Sequence, residues 1–158
     1  MVPAFEGTTP VADFPLFEWS FVSGDKTGER LSVRYFCREA DRALLARVRF
    51  GPRVEGPPGH AHGGSIAALL DEAMGMACWI TDRIVVAARL TVDFKAPVPL
   101  GTEAVVEATV IDQERRKIRA QGRVLALDGT VFATGEGLFI QVDPEKMHQA
   151  AAARPRPL

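Results

Sequence analysis

The chain is poor in the residues that carry the commoner chemistries. Of its 158 residues two are cysteine, Cys37 and Cys78; their separation fits neither a metal-ligand pair nor a redox motif, and they read as reduced core thiols. The 19 basic and 20 acidic residues leave a net charge of -1, with no arginine-lysine cluster interleaved with aromatics. No nucleic-acid partner is therefore expected. No stretch reaches about 18 consecutive apolar residues, so no membrane span is expected. The opening M-V-P-A-F-E-G-T-T-P has an acid and two prolines where a signal peptide needs a basic start and an apolar run. These absences, with no internal repeat, predict a soluble cytoplasmic protein.

What is present is enough for one domain. A chain of 158 residues that is 47% hydrophobic and 25% charged buries roughly 70% of its unfolded surface by size scaling. The stretch that organises it runs from Gly59 to Ile80, G-H-A-H-G-G-S-I-A-A-L-L-D-E-A-M-G-M-A-C-W-I. A glycine-rich turn passes into a proline-free apolar run bounded by Thr81 and Asp82, which predicts one helix beginning near Gly63 or Gly64. Between Ile66 and Ile80 the ionisable residues are Asp71 and Glu72, on a helix otherwise apolar enough to lie inside a protein. Steps of three and four gather Gly64, Ala67, Ala68, Asp71, Gly75 and Cys78 into a stripe of small side chains around one carboxylate. Glu72 points about 100° away, toward Ser65, Ala68, Leu69 and Trp79, and reads as a structural or interface acid.

The flanking sequence reads as strands. Residues 1–30, with Pro3, Pro10 and Pro15 and the apolar Phe5, Phe14, Leu16, Phe17, Trp19, Phe21 and Val22, read as an arm lying against the domain. Alternation from Leu31 to Arg38 and from Leu44 to Phe50 across an A-D-R turn predicts a hairpin. The loop G-P-R-V-E-G-P-P-G-H-A-H-G excludes helix and ladder and feeds the helix. Four more strands are predicted at 86–94, 103–112, 117–127 and 131–142, separated by K-A-P-V-P-L-G, Q-E-R-R and D-G. This order predicts an α+β fold in which an antiparallel sheet of about six strands wraps one central helix across residues 31–142. Residues 143–158 form a tail with helix-forming residues, no apolar face and a disordered end.

The run H-G-G-S-I-A-A-L-L-D-E-A-M-G, with G-P-P-G before it and F-K-A-P-V-P-L-G after it, resembles the hotdog-fold acyl-CoA thioesterases, in the branch near the phenylacetate-degradation and thioesterase-superfamily-member proteins. The likeness covers 51–142 and includes the His-Gly-Gly with an acid nine residues after the histidine. It implies a hotdog fold, hydrolysis of a fatty or aromatic acyl-CoA, no cofactor beyond coenzyme A as part of the substrate, and a homodimer that can pair again into a tetramer. Members of this group often carry an asparagine in the loop before His-Gly-Gly. This loop has none, and His60 stands in the comparable place. Where some members have a threonine, this chain has Ala87, and Thr91 is the nearby substitute.

Thioester hydrolysis needs an oxygen nucleophile and donors for the oxyanion. Asp71 is the candidate nucleophile or general base. The free N–H groups of the first helical turn, at Gly63 and Gly64, are the candidate oxyanion donors, with His62 holding the turn. Gly63 and Asp71 are eight residues apart, about 12 Å along a helix, yet both must reach one carbonyl carbon. A two-fold dimer with antiparallel helices resolves this by setting Gly63 of one chain against Asp71 of the other. Arg115, Arg116 and Lys117, with Arg89 and Lys95, are candidate contacts for the coenzyme A phosphates; Trp79, Met74, Met76 and Phe94 could line an acyl tunnel. Three competing readings remain: an ion pair of Asp71 with Arg89, a hydratase, and a non-catalytic acyl-CoA sensor or carrier. A metal site at His60, His62 and Asp71 is disfavoured because nothing fixes four ligands.

Overall fold

The structure, a computed structural model, describes residues 5–12 and 19–155. Its elements are β1 (Thr8–Pro10), β2 (Leu31–Arg38), β3 (Leu44–Phe50), α1 (Gly63–Trp79), β4 (Val85–Phe94), β5 (Glu103–Glu114), β6 (Lys117–Ala126), β7 (Val131–Gln141) and α2 (Pro144–Ala152). All strands join one antiparallel sheet in the order β1-β2-β3-β5-β6-β7-β4. The sheet wraps α1, as the alternation and the single apolar helix predict.

Two additions correct the sequence reading. The sheet has seven strands because the arm contributes β1, whose three residues are too few to show alternation; the Val11 N–H donates to the Tyr35 carbonyl at 2.9 Å. The Phe5 ring meets Phe36 edge-on, centroids 4.9 Å apart. The tail supplies a second helix, α2, capped by the Asp143 side chain on the Glu145 N–H at 2.9 Å and burying no residue. Pro3, Phe14, Pro15, Leu16 and Phe17 of the arm, and residues 156–158 of the tail, lie outside the described residues. The strand order also departs from sequence order. β4 crosses to pair with β7 and ends as a ten-residue edge strand.

The loop before α1 is not wholly irregular. A single 3-10 turn, Pro52–Val54, is followed by isolated bridges Glu55 to Ala61 and His60 to Pro99. The Ala61 N–H donates to the Val98 carbonyl at 2.8 Å, and Leu100 N–H to Gly59 at 3.0 Å. The two halves of the sequence signature, the turn before the helix and K-A-P-V-P-L-G after β4, are thus laced together.

Packing fixes the rotation of α1. Leu69, Leu70, Ala73, Met74 and Cys78 are fully buried, and Leu70 and Met74 seat on glycines in the sheet. A Cβ at Gly122 would lie 3.1 Å from Leu70 Cδ2, and one at Gly135 would lie 3.3 Å from Leu70 Cδ1. Burying each such side chain stabilises the fold by about 1.5–3 kcal/mol. With that face against the sheet, Gly64, Ala67, Ala68, Asp71 and Gly75 of the small-residue stripe are left on the open flank, while its last member, Cys78, is buried.

Candidate functional site

The start of α1 is set by His62. Its Nδ1 accepts the Gly64 N–H at 2.8 Å, and its carbonyl accepts the Ser65 N–H at 2.9 Å. An acceptor at Nδ1 places the proton of the neutral ring on Nε2. The ring sits between two glycines. A Cβ at Gly56 would fall 2.7 Å from His62 Cα, and one at Gly64 would fall 2.9 Å from Nδ1.

This cap sorts the two expected donors. The Gly64 amide is held by His62 and is not available to an oxyanion, contrary to the equal standing of the two glycines in the sequence. The Gly63 N–H has no hydrogen-bond partner among the described residues. It carries the positive end of a 17-residue helix. The Phe94 ring lies over Gly63, 3.3 Å from where a Cβ would stand.

Asp71 lies two turns along on the open flank and is half-buried. Among the described residues it has no side-chain hydrogen bond and no ion pair. The expected competitor Arg89 is exposed on β4 and makes no bridge to it. Burial, and then the neighbouring Glu72 carboxylate, hold the Asp71 pKa above the ordinary aspartate value. A desolvated, unpaired carboxylate is a candidate for the reacting group.

Glu72 is built in the opposite way. Tyr35 Oη donates to Glu72 Oε1 at 2.6 Å, and Ser20 Oγ donates to Oε2. The Ser20 oxygen in turn accepts the Val22 and Ser23 N–H groups at 3.1 and 3.0 Å. Burial pushes the Tyr35 hydroxyl well above its ordinary pKa, and the Glu72 charge adds to that. Glu72 thus ties α1 to β2 and to the arm, partners that its place on a helical wheel could not show.

The remaining candidates fall into three places. His60 stays in the loop, its Nδ1 2.9 Å from the Pro58 carbonyl, and Lys95 sits at the same end of α1 just after Phe94. Arg115, Arg116 and Lys117 form the β5–β6 hairpin tip at the other end of α1. There Arg116 Nε donates to the Gln141 carbonyl at 3.0 Å, and Gln141 pairs with Val85. Thr91 and Arg89 lie on the sheet face turned away from α1. Leu90 and Val92 pack toward the helix, whereas Thr91 lines an outer cleft with Asp93, Thr134 and Glu136. The bulge in β4 falls between Ala87 and Arg89, before Thr91, and does not turn it inward. Thr91 therefore cannot replace the missing threonine within this chain. Of the proposed acyl-tunnel residues, Met74 is sealed against the sheet, while Met76 and Trp79 border a cavity.

Sequence reasoning missed Tyr35, Ser20 and the Gly122–Gly135 trough; the lone tyrosine in an alternating strand was the available signal for the first. No asparagine occurs anywhere in the chain, so a second copy could not supply one either. Among the described residues no group of three or more His, Cys, Asp or Glu could hold a metal ion.

Residues 58–133 match the thioesterase superfamily. The chain is 33% identical over 121 residues to the acyl-coenzyme A thioesterase THEM4 of Xenopus laevis, covering 76% of this chain and 54% of that protein. It thus spans about half the length of the curated relatives it matches. A crystal structure of a thioesterase superfamily protein superposes with a TM-score of 0.65 at 30% identity, covering 68% of this chain and 55% of the other. A Bacillus halodurans protein crystallised with CoA gives a TM-score of 0.57 at 30% identity, covering 62% and 66%.

Proposed function

Since residues 58–133 make this chain a member of the thioesterase superfamily with a hotdog fold, we infer that it hydrolyses the thioester of an acyl-CoA, with Asp71 as the reacting carboxylate. The observation that carries this reading is the pairing of opposites at α1. Among the described residues Asp71 has a raised pKa and no partner, and the Gly63 N–H is an unspent donor. The relatives named acyl-coenzyme A thioesterase and the neighbour crystallised with CoA support the substrate class.

In this reading a homodimer completes the site. β4 is a ten-residue edge strand without proline, and Val86 and Phe94 on it are 44% and 55% exposed. Such an edge invites strand pairing. Two-fold pairing of β4 with its copy lays the two α1 helices side by side and antiparallel. Gly63 of one subunit then faces Asp71 of the other, and the partner's hairpin tip comes to the Gly63 end of α1, where its Arg115, Arg116 and Lys117 can meet the CoA phosphates. A dimer of dimers is compatible with this arrangement and adds nothing to the chemistry. Two buried free thiols, Cys37 and Cys78, suit a reducing compartment such as the cytoplasm.

The reaction then runs on this chain's own groups. Asp71 attacks the thioester carbonyl carbon or takes a proton from the water that does so. The oxyanion that forms accepts the partner's Gly63 N–H, a contact that contributes roughly 3 kcal/mol of barrier lowering in comparable sites. Collapse breaks the C–S bond, the thiolate takes a proton and leaves as CoA, and the free acid remains. When Asp71 attacks directly, water hydrolyses the resulting anhydride.

The test is hydrolysis of acyl-CoAs from acetyl to long-chain and phenylacetyl by the wild type and Asp71→Asn. Turnover by the wild type and its loss in the variant support the reading; saturable binding without turnover in both forms sinks it. A single turnover in labelled water separates the two routes, since only attack by the carboxylate leaves label in the protein.

A further inference from the structure

A cavity of about 470 Å³ lies beside α1 on its Glu72 side, with Gly75 of the small-residue stripe in its wall. Its floor is Gly75, Met76, Trp79 and Val85, and its roof is Trp19 and Phe21 of the arm. We propose that this cavity takes the hydrocarbon chain of the acyl group, and that the arm sets how long a chain is held. The proposal rests on the thioesterase reading for its substrate.

Four observations carry it. First, Gly75 follows Asp71 by one helical turn on the small-residue stripe. Along the helix, Gly75 in the cavity wall is about 6 Å from Asp71, and Trp79 is about 12 Å from it. That reach suits a medium or long alkyl chain and leaves an acetyl group outside. Secondly, the carboxylate at the rim is already satisfied. Ser20 and Glu72 bond each other, and Glu72 also holds Tyr35, so what faces the space is predominantly apolar and sulfur-bearing.

Thirdly, Trp19 and Phe21 keep 52% and 77% of their surface in solvent, an apolar exposure over a cavity that marks a ligand site rather than core. Fourthly, the roof is fastened. Ser20, between the two aromatics, is bonded to α1 through Glu72, and the Arg154 guanidinium just beyond α2 lies 5.1 Å from the Trp19 ring centroid. Trp19, Phe21 and Arg154 all fall outside residues 58–133.

The chain's two tryptophans, Trp19 and Trp79, both line the cavity, which provides a readout independent of turnover. Tryptophan emission of the full chain is followed while it is titrated with coenzyme A and with a series of unreactive S-alkyl coenzyme A thioethers from ethyl to hexadecyl. The proposal expects a saturable emission change with the longer thioethers and none with coenzyme A or the ethyl compound. The dissociation constant should fall by up to about fourfold per added methylene until the cavity is full. Gly75→Leu, which fills the floor, and Trp19→Ala, which opens the roof from an exposed position, should both flatten that dependence at least tenfold at dodecyl. Equal affinity across the series, or a wild-type dependence in both variants, overturns the proposal. Retained chain dependence without hydrolysis of any acyl-CoA would overturn the thioesterase reading alone; hydrolysis with no chain dependence would overturn the cavity alone.

Discussion

Asp71 and Glu72 are consecutive residues of α1, yet the two flanks they occupy are built for different ends. On the Glu72 flank the acid is matched. The carboxylate is held by Tyr35 and Ser20, and through them by β2 and the arm. On the Asp71 flank no described residue matches the carboxylate, burial raises its pKa, and β4 has a free outer edge. A fold that can satisfy one acid so fully beside another left bare is not short of partners.

The largest effect that bears on this contrast is expected from Asp71→Asn. Hydrolysis should fall by about 10²–10⁴-fold, while the protein becomes more stable at neutral pH. The sign follows from the raised pKa. The folded state is favoured while Asp71 is protonated and loses stability as pH rises from the ordinary aspartate value through the raised one, so at neutral pH the ionised acid carries a cost that asparagine lacks. Thermal denaturation at pH 7 checks it, and a lower Tm for the variant would contradict the picture of a strained, unpaired acid.

Breaking the edge rather than the acid comes next. Val92→Pro, in the middle of β4, removes an N–H that points away from β7 and should convert the proposed dimer to monomer in sedimentation with loss of nearly all turnover. Retained activity in a monomer would show that one chain holds the complete site.

The Glu72 flank should respond through stability. Tyr35→Phe removes one donor to Glu72 and should cost about 1–2 kcal/mol, read as a Tm lower by several degrees, with turnover largely kept. The finest effect is expected from Glu72→Gln. Removing the neighbouring charge lowers the Asp71 pKa, so the acid limb of the kcat/KM against pH profile should move to lower pH; an unmoved limb would mean that Asp71 does not govern it.

Much of this contrast was legible in the sequence, for reasons that also explain what was not. α1 and the alternating strands are local patterns, written in residues a few positions apart, and the acid on the small-residue stripe is one of them. The partners of Glu72 are not local. Tyr35 is 37 residues away and Ser20 is 52, and their meeting depends on the arm's path. The same holds for β1, too short to carry a period, and for the crossing of β4 to β7, which no strand's own residues specify. The loss of Gly64 as a donor was hidden in a different way, since only the reach of His62 Nδ1 tells the two glycines apart.

The claim that matters most is that each site draws its acid from one subunit and its oxyanion donor from the other. Subunit mixing tests it. Gly63→Pro deletes the N–H at the first helical position, where proline is tolerated, and should lower kcat by about 10²–10³-fold. Unfolding and refolding equal amounts of that variant with Asp71→Asn yields heterodimers in which one site regains both an intact Asp71 and an intact Gly63 N–H. Recovery of about a quarter of the wild-type rate is predicted. A mixture no more active than its two parents would place both groups in one chain and contradict the account.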